Sequence, residues 1–212
     1  MISENKITQQ LAAILKAKGI KDIVISPGSR NAPIINTFAG SGDFNCLSVV
    51  DERSAAFFAL GIALKTGNTV ALSCTSGTAS LNYAPAIAEA FYQKVPLLIL
   101  TADRPVEWTD QEDGQTIRQR NVFSNYINKS FELPQNSQTD DELWHANRMI
   151  NEAVNLCRYP VKGPVHINLP FGEPLYNQEN KDLPEVRIID TYPGEVSLST
   201  QQKEIFTGLM WI

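Results

Sequence analysis

Four turns in this sequence carry residue types that bind or activate small molecules, and each follows a short apolar run of the kind that forms a strand. Arginine can hold a carboxylate through two parallel hydrogen bonds. A carboxylate at a strand-to-helix turn can hold or move a proton. Small residues let a ligand approach the backbone closely. The four turns are Gly28-Ser29-Arg30, Asp51-Glu52, Ser76-Gly77 and Asp103-Arg104.

The second of these turns lies in the segment around which the chain is organised, residues 47–67. The segment begins as a β-branched apolar run, which predicts a buried strand, and continues as a helix that is apolar on every face, which predicts a buried helix. Asp51 is placed to cap that helix, and Glu52 lies in its first turn beside the positive end of the helix dipole. Both acids acting only as caps is the alternative.

The other polar turns also admit two interpretations. Ser29, Arg30 and Asn31 could bind an anion, or they could form a capped turn with a surface arginine. Arg104 could bind a carboxylate or pair with Asp103. The turn at 75–78 is not a P-loop because no lysine follows, and the sequence contains no GxGxxG fingerprint.

The two histidines do not suggest catalysis or metal binding. His145 lies on an amphipathic helix and is expected at the surface, whereas His166 lies within a strand and is expected to be structural. No His/Cys cluster with zinc spacing is present, and no Ser-His-Asp arrangement can be argued. We therefore predict no metal ligands in this chain.

Composition excludes several classes of partner. The chain has 212 residues, is 43% hydrophobic and carries a net charge of −5, which argues against nucleic acid or an anionic membrane surface. No apolar run approaches the roughly 20 residues that span a bilayer, and the N-terminus lacks a signal-peptide core. Three scattered cysteines are typical of reduced core residues. A cytoplasmic protein is expected.

The elements that must position these turns alternate along the chain. This alternation predicts an α/β fold with a doubly wound parallel sheet of about six strands and helices on both faces, in which ligands bind at the carboxyl ends of the strands. The expected strands are 22–26, 46–50, 69–74, 96–101, 130–133 and 163–169. The expected helices are 8–19, 51–65, 79–93 with a kink at Pro85, and 140–158.

Composition changes after residue 170. Residues 173–194 are rich in Pro, Asn, Asp and Glu, which is typical of a linker. Residues 197–212 begin a new element and stop on apolar residues. We predict one domain at 1–174, a linker at 175–196 and the start of a truncated central domain at 197–212, so that the chain is the N-terminal piece of a longer protein.

Several ordered blocks between residues 8 and 174 resemble a known family. ITQQLAAILKAKGIKDIVISPGSRNAPI, VVDERSAAFFALGIALKTG, VALSCTSGTASLNYAPAIAEAFYQKVPLLILTADRP and GPVHINLPF are similar to the N-terminal, pyrimidine-binding domain of thiamine diphosphate enzymes. Within that superfamily, SPGSRN, VDERSAAFFALG and TADRP resemble the 2-succinyl-5-enolpyruvyl-6-hydroxy-3-cyclohexene-1-carboxylate synthases of menaquinone biosynthesis.

The resemblance implies an activity and a set of site residues. These synthases decarboxylate 2-oxoglutarate and add the succinyl-semialdehyde carbanion to isochorismate. By resemblance, Glu52 hydrogen-bonds N1′ of the aminopyrimidine and activates the cofactor. The positions expected near the pyrimidine are Thr75, Ser76, Gly77 and Asn82, and those facing the substrates are Ser29, Arg30, Arg104 and Gln115. Gly114 departs from the family's Asn, which removes any side-chain contact there.

The resemblance also implies what this chain lacks. In the family, a C-terminal domain holds the diphosphate and Mg²⁺, and the site forms between subunits. A homodimer or homotetramer is therefore expected for the full-length protein, and the 212-residue chain alone is expected to be inactive. Another thiamine diphosphate enzyme, such as an acetolactate synthase or a 2-oxoacid decarboxylase, is one alternative. A non-catalytic domain that kept the fold is another.

Overall fold

The computed structural model describes residues 1–135, 139–192 and 199–209. The strands are β1 (Ile2–Ser3), β2 (Asp22–Ile25), β3 (Asn45–Ser48), β4 (Val70–Cys74), β5 (Leu97–Asp103), β6 (Ser130–Glu132), β7 (Val165–Pro170) and β8 (Gln178–Glu179). The helices are α1 (Lys6–Ala17), α2 (Ala32–Ser41), α3 (Glu52–Thr66), α4 (Thr78–Leu81), α5 (Ala84–Tyr92), α6 (Asp140–Leu156) and α7 (Thr200–Leu209). Within these ranges, no helix is long and apolar enough to cross a membrane.

Six strands form one sheet in the order β3-β2-β4-β5-β7-β6. All of its neighbouring strands are parallel, which confirms the predicted doubly wound α/β fold. From β2 the chain moves outward to β3 and then crosses to β4 on the other side of β2. The strand order therefore reverses between β2 and β4, and ligands bind in the crevice at such a switch point. The short β1 and β8 pair separately and antiparallel.

Two apolar clusters cover the two faces of the sheet. Along β2, Ile23 and Ile25 belong to one cluster, whereas Val24 belongs to the other, because successive strand side chains point to opposite faces. The first cluster contains residues of α1, α2 and α6, and the second contains residues of α3 and α5. Helices on both faces therefore confirm the predicted layers.

The prediction that 47–67 is wholly buried is wrong. Strand β3 lies at the edge of the sheet, and Val50 just after it is 77% exposed. On α3, the alanines and Leu60 are buried, whereas the other large apolar residues, such as Phe58 at 51%, are half-buried or exposed. The small alanines let the helix backbone lie close to the sheet, so the bulky side chains occupy the outward face.

The predicted helix at 79–93 is two helices. The four-residue α4 ends at Leu81, and α5 begins at Ala84 with Pro85 in its first turn. Proline lacks a backbone N–H and suits the start of a helix, so Pro85 begins a helix rather than kinking one.

Asn31 also departs from expectation. It occupies the N-cap position of α2, but its side chain makes no capping hydrogen bond.

Residues 175–192 lie against the domain. Leu175 is buried, and β8 pairs with β1. The side chain of Asn151 on α6 accepts a hydrogen bond from the backbone N–H of Ile189 at 2.9 Å. The domain boundaries at 174 and 196 stay predictions. Of the proposed central-domain start, residues 199–209 contain α7, and residues 197, 198 and 210–212 lie outside the described residues.

Candidate functional site

The turns after β2 and β4 contact each other at the switch point. A Cβ on Gly28 would lie 2.4 Å from Cβ of Thr75, which is closer than real atoms approach. The backbone N–H of Arg30 donates to Oγ1 of Thr75 at 3.2 Å. Glycine at 28 therefore allows the two turns to close against one another, as predicted from their positions at one edge of the sheet.

A polar cluster lies buried beneath these turns. The phenol of Tyr83 donates to Oγ of Ser26 at 3.3 Å, and Nδ2 of Asn31 donates to the backbone oxygen of Ser26 at 3.0 Å. Oδ1 of Asn31 is buried and has no hydrogen-bond partner within the described part of the chain. Burial raises the pKa of Tyr83, with smaller contributions from neighbouring Cys74 and from the charge of Glu52.

Asp51 and Glu52 have different environments despite being adjacent. Oδ1 of Asp51 accepts the backbone N–H of Ser54 at 2.8 Å, which confirms the predicted cap and lowers the pKa of Asp51. Glu52 is half-buried at the first turn of α3. Across the ranges that the structure describes, its carboxylate makes no hydrogen bond or ion pair. Asp51 therefore stabilises α3, whereas the carboxylate of Glu52 remains available to a ligand.

Gly77 brings the turn after β4 against the loop that carries Gln115. Its backbone has φ 80° and ψ −143°, a conformation that only glycine adopts readily. A Cβ at this position would lie 2.7 Å from the backbone oxygen of Gln115. The predicted cofactor-side turn and the predicted substrate-side Gln115 are therefore in direct contact.

Arg30 is 7% exposed and is held by the chain that follows β7. Its Nη1 donates to the backbone oxygen of Phe171 at 3.0 Å and lies 3.2 Å from Oε1 of Glu173. Burial lowers the pKa of Arg30, and the nearby positive charge of Arg104 lowers it further. The two arginines predicted to bind substrate therefore lie close enough to influence each other.

Arg104 pairs with Asp113 rather than with Asp103. Its Nε lies 3.2 Å from Oδ2 of Asp113 as an ion pair, without the alignment of a hydrogen bond. Its Nη2 donates to the backbone oxygen of Gly114 at 3.1 Å. Asp103 instead accepts the backbone N–H of Arg104 at 2.8 Å. The sequence alternative of an Asp103 ion pair is therefore wrong.

The remaining predicted residues lie at the rim of the crevice. Ser29 is exposed beside Pro27 and Tyr176 in a groove of about 440 Å³. Asn82 is the C-cap residue of α4 and donates to the backbone oxygen of Thr78 at 3.1 Å. Thr75 and Ser76 are buried in the turn after β4. The assignment of these residues to cofactor or substrate stays a prediction.

Sequence reasoning missed two buried amides behind the site. Gln119 is 1% exposed, and its Oε1 accepts the backbone N–H of Gly77 at 3.0 Å. Nδ2 of Asn168 on β7 donates to Oδ2 of Asp103 at 2.8 Å and to Glu132 at 3.0 Å. Burial raises the pKa of both acids. Nothing in their local sequence pattern distinguishes these amides from other polar residues.

A cavity of about 490 Å³ opens beside this network. Arginines, buried acids and Gln119 contribute to its wall. The charged and amide residues lining it are Asp103, Arg104, Asp110, Arg118, Gln119, Arg120, Glu132 and Gln135. The cavity is continuous with the loop that carries Arg104, so it belongs to the same edge of the sheet.

The histidines are placed as expected. His145 is exposed on α6, and His166 is fully buried, with Nε2 2.7 Å from Oγ1 of Thr101 and Nδ1 3.0 Å from Oγ of Ser130. Burial lowers the pKa of His166 to about 3. Among the described residues, no group of three or more His, Cys, Asp and Glu could hold a metal ion.

Comparison with known proteins finds relatives that cover most of the chain. The chain is 53% identical to the 2-succinyl-5-enolpyruvyl-6-hydroxy-3-cyclohexene-1-carboxylate synthase of Bacteroides fragilis over 92% of its own length and 35% of that protein. It is 50% identical to the same-named synthase of Phocaeicola vulgatus over 99% of its own length and 37% of that protein. The chain thus spans roughly a third of the length of these curated relatives.

A family model matches the part of the chain that holds most of the site. The model is described as the thiamine pyrophosphate enzyme, N-terminal TPP binding domain, and it matches residues 5–129. That range includes the turns after β2, β3, β4 and β5 that meet at the switch point. The chain therefore belongs to the thiamine pyrophosphate enzyme N-terminal TPP binding domain family.

Proposed function

We propose that this chain supplies the pyrimidine-binding part of a 2-succinyl-5-enolpyruvyl-6-hydroxy-3-cyclohexene-1-carboxylate synthase. That enzyme would decarboxylate 2-oxoglutarate and add the resulting four-carbon unit to isochorismate in menaquinone biosynthesis. The observation that carries the proposal is the half-buried carboxylate of Glu52, which has no hydrogen-bond or ion-pair partner in the described chain and lies at the switch-point edge of the sheet. Relatives carrying this name align with 92–99% of the chain at about 50% identity.

The residues of the crevice fit an aminopyrimidine. The two turns that flank it are built from small residues, and Gly28 and Gly77 are both positions where an added Cβ would collide. Glu52 offers a hydrogen-bonding carboxylate that has no hydrogen-bond or ion-pair partner among the described residues. A flat ring with alternating donors and acceptors matches such a crevice better than a bulky polar ligand does.

Glu52 would hold a proton at N1′ of the pyrimidine ring. A carboxylate in the first turn of a helix, with no hydrogen-bond or ion-pair partner in the described chain, can hydrogen-bond a ring nitrogen and share its proton. Bound thiamine diphosphate supplies the carbanion chemistry of the reaction. The contribution of the chain is to orient the ring and to hold that proton in place.

Arg30 and Arg104 would bind substrate carboxylates. 2-Oxoglutarate and isochorismate each carry two carboxylates, which arginine recognises through paired hydrogen bonds. In the structure each arginine is paired with an acid, Glu173 and Asp113 respectively. A substrate carboxylate would exchange with these pairs, while Gln115 and Ser29 would contact the remaining polar groups.

Other parts of the assembly would complete the site. We propose that Mg²⁺ and the diphosphate are held outside this chain, by a C-terminal domain of the full-length protein. We also propose a homodimer or homotetramer located in the cytoplasm. The exposed apolar residues of α3, among them Phe57, Phe58 and Leu64, offer a surface for such assembly.

The test uses a protein of the relatives' full length, supplied with thiamine diphosphate, Mg²⁺ and 2-oxoglutarate. We expect Glu52→Gln to slow isochorismate consumption by at least about 100-fold, the usual worth of a positioned proton transfer. Its melting temperature should fall by only a few degrees, because Glu52 has no hydrogen-bond or ion-pair partner to lose and interacts favourably only with the helix dipole. The neighbouring Asp51→Asn is the matched control, since it removes the adjacent negative charge while the amide oxygen can still cap the helix.

Three outcomes would contradict the proposal. CO₂ release without isochorismate loss would keep the cofactor chemistry and assign another acceptor, as in an acetolactate synthase or a 2-oxoacid decarboxylase. Binding of thiamine diphosphate without any turnover would indicate a domain that kept the fold and lost the chemistry. Equal activity of wild type and Glu52→Gln would remove the proposed role of that carboxylate.

A further inference from the structure

Gln119 connects the turn after β4 to the end of β5. Its Oε1 accepts the backbone N–H of Gly77 at 3.0 Å, and its Nε2 donates to the backbone oxygen of Ala102 and to Oδ1 of Asn168, each at 2.8 Å. The side chain is almost completely buried, so water does not replace any of these bonds. Both N–H groups of the amide and one lone pair of its oxygen are therefore bonded to protein groups.

Asn168 extends this connection to the substrate side. Besides accepting from Gln119, it donates to Oδ2 of Asp103 at 2.8 Å. Oδ1 of the same Asp103 accepts the backbone N–H of Arg104 at 2.8 Å. Gly77 and Arg104 are therefore joined by an uninterrupted series of hydrogen bonds through Gln119, Asn168 and Asp103, which we name the amide bridge.

The turn at Gly77 also makes a direct backbone contact with the loop that contains Gln119. The missing Cβ of Gly77 lets the backbone of Gln115 approach it directly. Gln115 and Gln119 belong to one loop. This loop therefore contacts the turn at Gly77 twice, through the packing of Gln115 and through the hydrogen bond to Gln119. Displacing Gln119 would therefore disturb the turn, Gln115 and Arg104 together.

We propose that Gln119 and Asn168 are positioning residues that hold the cofactor-side turn at Gly77 and the substrate-side Arg104 in one fixed geometry. The inference rests on the proposed function for the identity of the two sides. Neither amide needs to touch a ligand. Because buried polar groups are costly to leave unpaired, removing the Gln119 amide would release the Gly77 N–H and one lone pair of Asn168 at once.

Amide hydrogen exchange on the 212-residue chain tests the geometry without any substrate. We expect Gln119→Met to accelerate exchange of the Gly77 amide by at least about tenfold, because its acceptor is gone. Gln111→Met, the same change at an exposed position of the loop, should match wild type. Unchanged Gly77 exchange in Gln119→Met would overturn the proposal.

Kinetics on a protein of the relatives' full length test the consequence. We expect Gln119→Met to raise the isochorismate KM and the half-saturating thiamine diphosphate concentration together, each by about tenfold. Both values rise because the turn at Gly77 and Arg104 are no longer held in position. A purely structural role would instead lower the active fraction and leave both values at wild type, which would overturn the proposal. If wild type consumes no isochorismate, the proposed function fails, and the exchange result alone decides the positioning roles.

Discussion

The guanidinium of Arg30 and the carboxylate of Glu173 form an ion pair, with Nη1 3.2 Å from Oε1. The partners differ sharply in exposure, since the arginine side chain is 8% exposed and the glutamate side chain is 66% exposed. Glu173 therefore covers a buried cation from the solvent side. A carboxylate ligand that binds Arg30 must compete with Glu173, which is already paired with Nη1 of the guanidinium.

This arrangement predicts that Glu173→Gln strengthens anion binding at Arg30. The amide oxygen can still accept from the guanidinium, but the competing negative charge is gone. Because solvent-exposed ion pairs contribute up to about 1 kcal/mol, the Kd for 2-oxoglutarate should fall by up to about fivefold. A titration followed by the Arg30 side-chain NMR signal measures it. Glu185→Gln, which removes an exposed acid elsewhere, is the control, and equal or weaker binding in Glu173→Gln would contradict the prediction.

Gly77→Ala is expected to destabilise the domain. The added Cβ would lie 2.7 Å from the Gln115 backbone oxygen, and the φ of 80° at this position suits glycine. Backbone strain of this kind costs roughly 1–3 kcal/mol before the collision is relieved. Urea unfolding measures the loss. Gly61→Ala is a matched control in α3, where a Cβ meets nothing within 4 Å and should stabilise by roughly 0.5–1 kcal/mol. Equal stability of the two variants would disprove the explanation.

His166 should make the domain less stable as pH falls. Burial lowers its pKa from the usual 6.5 to about 3, so the unfolded chain binds this proton at a higher pH than the folded chain does. Stability is therefore fully present above about 6.5 and declines by roughly 1.4 kcal/mol per pH unit between there and about 3. The raised pKa values of Asp103 and Glu132 act in the opposite direction.

The contribution of His166 is isolated by comparing unfolding free energies of wild type and His166→Gln between pH 7 and pH 4. The difference between the two proteins should shrink as pH falls, because only wild type loses stability through this histidine. His145→Gln, a change at an exposed histidine, should follow wild type throughout. A constant difference between wild type and His166→Gln would show that His166 is not the titrating group.

Asn151 is expected to fix residues 187–189 against α6. Its Nδ2 donates to the backbone oxygen of Arg187 at 3.1 Å, and its Oδ1 accepts the backbone N–H of Ile189 at 2.9 Å. Asn151→Ala should cost about 1–3 kcal/mol and accelerate exchange of the Ile189 amide. Asn151→Asp keeps the acceptor and should leave that amide slow. Similar Ile189 exchange in all three proteins would contradict this attachment.

The sequence by itself determined the strands, their alternation with helices and the edge at which the polar turns meet. Periodicity and turn residues are local, and parallel strands joined by short crossovers leave few ways to fold. The cap at Asp51, the position of Glu52 beside it and the buried, structural His166 were likewise accessible from local pattern. The family resemblance rested on the same turns.

Only the tertiary structure decided which side chains meet. The partner of Arg30 is 143 positions away at Glu173, and Gln119 bonds Asn168 49 positions away. Such contacts depend on the order of strands in the sheet, which periodicity does not encode. The exposure of α3 was misjudged for a related reason. An apolar helix is buried only where another layer covers it, and the sheet covers only the face of α3 that carries its alanines and Leu60.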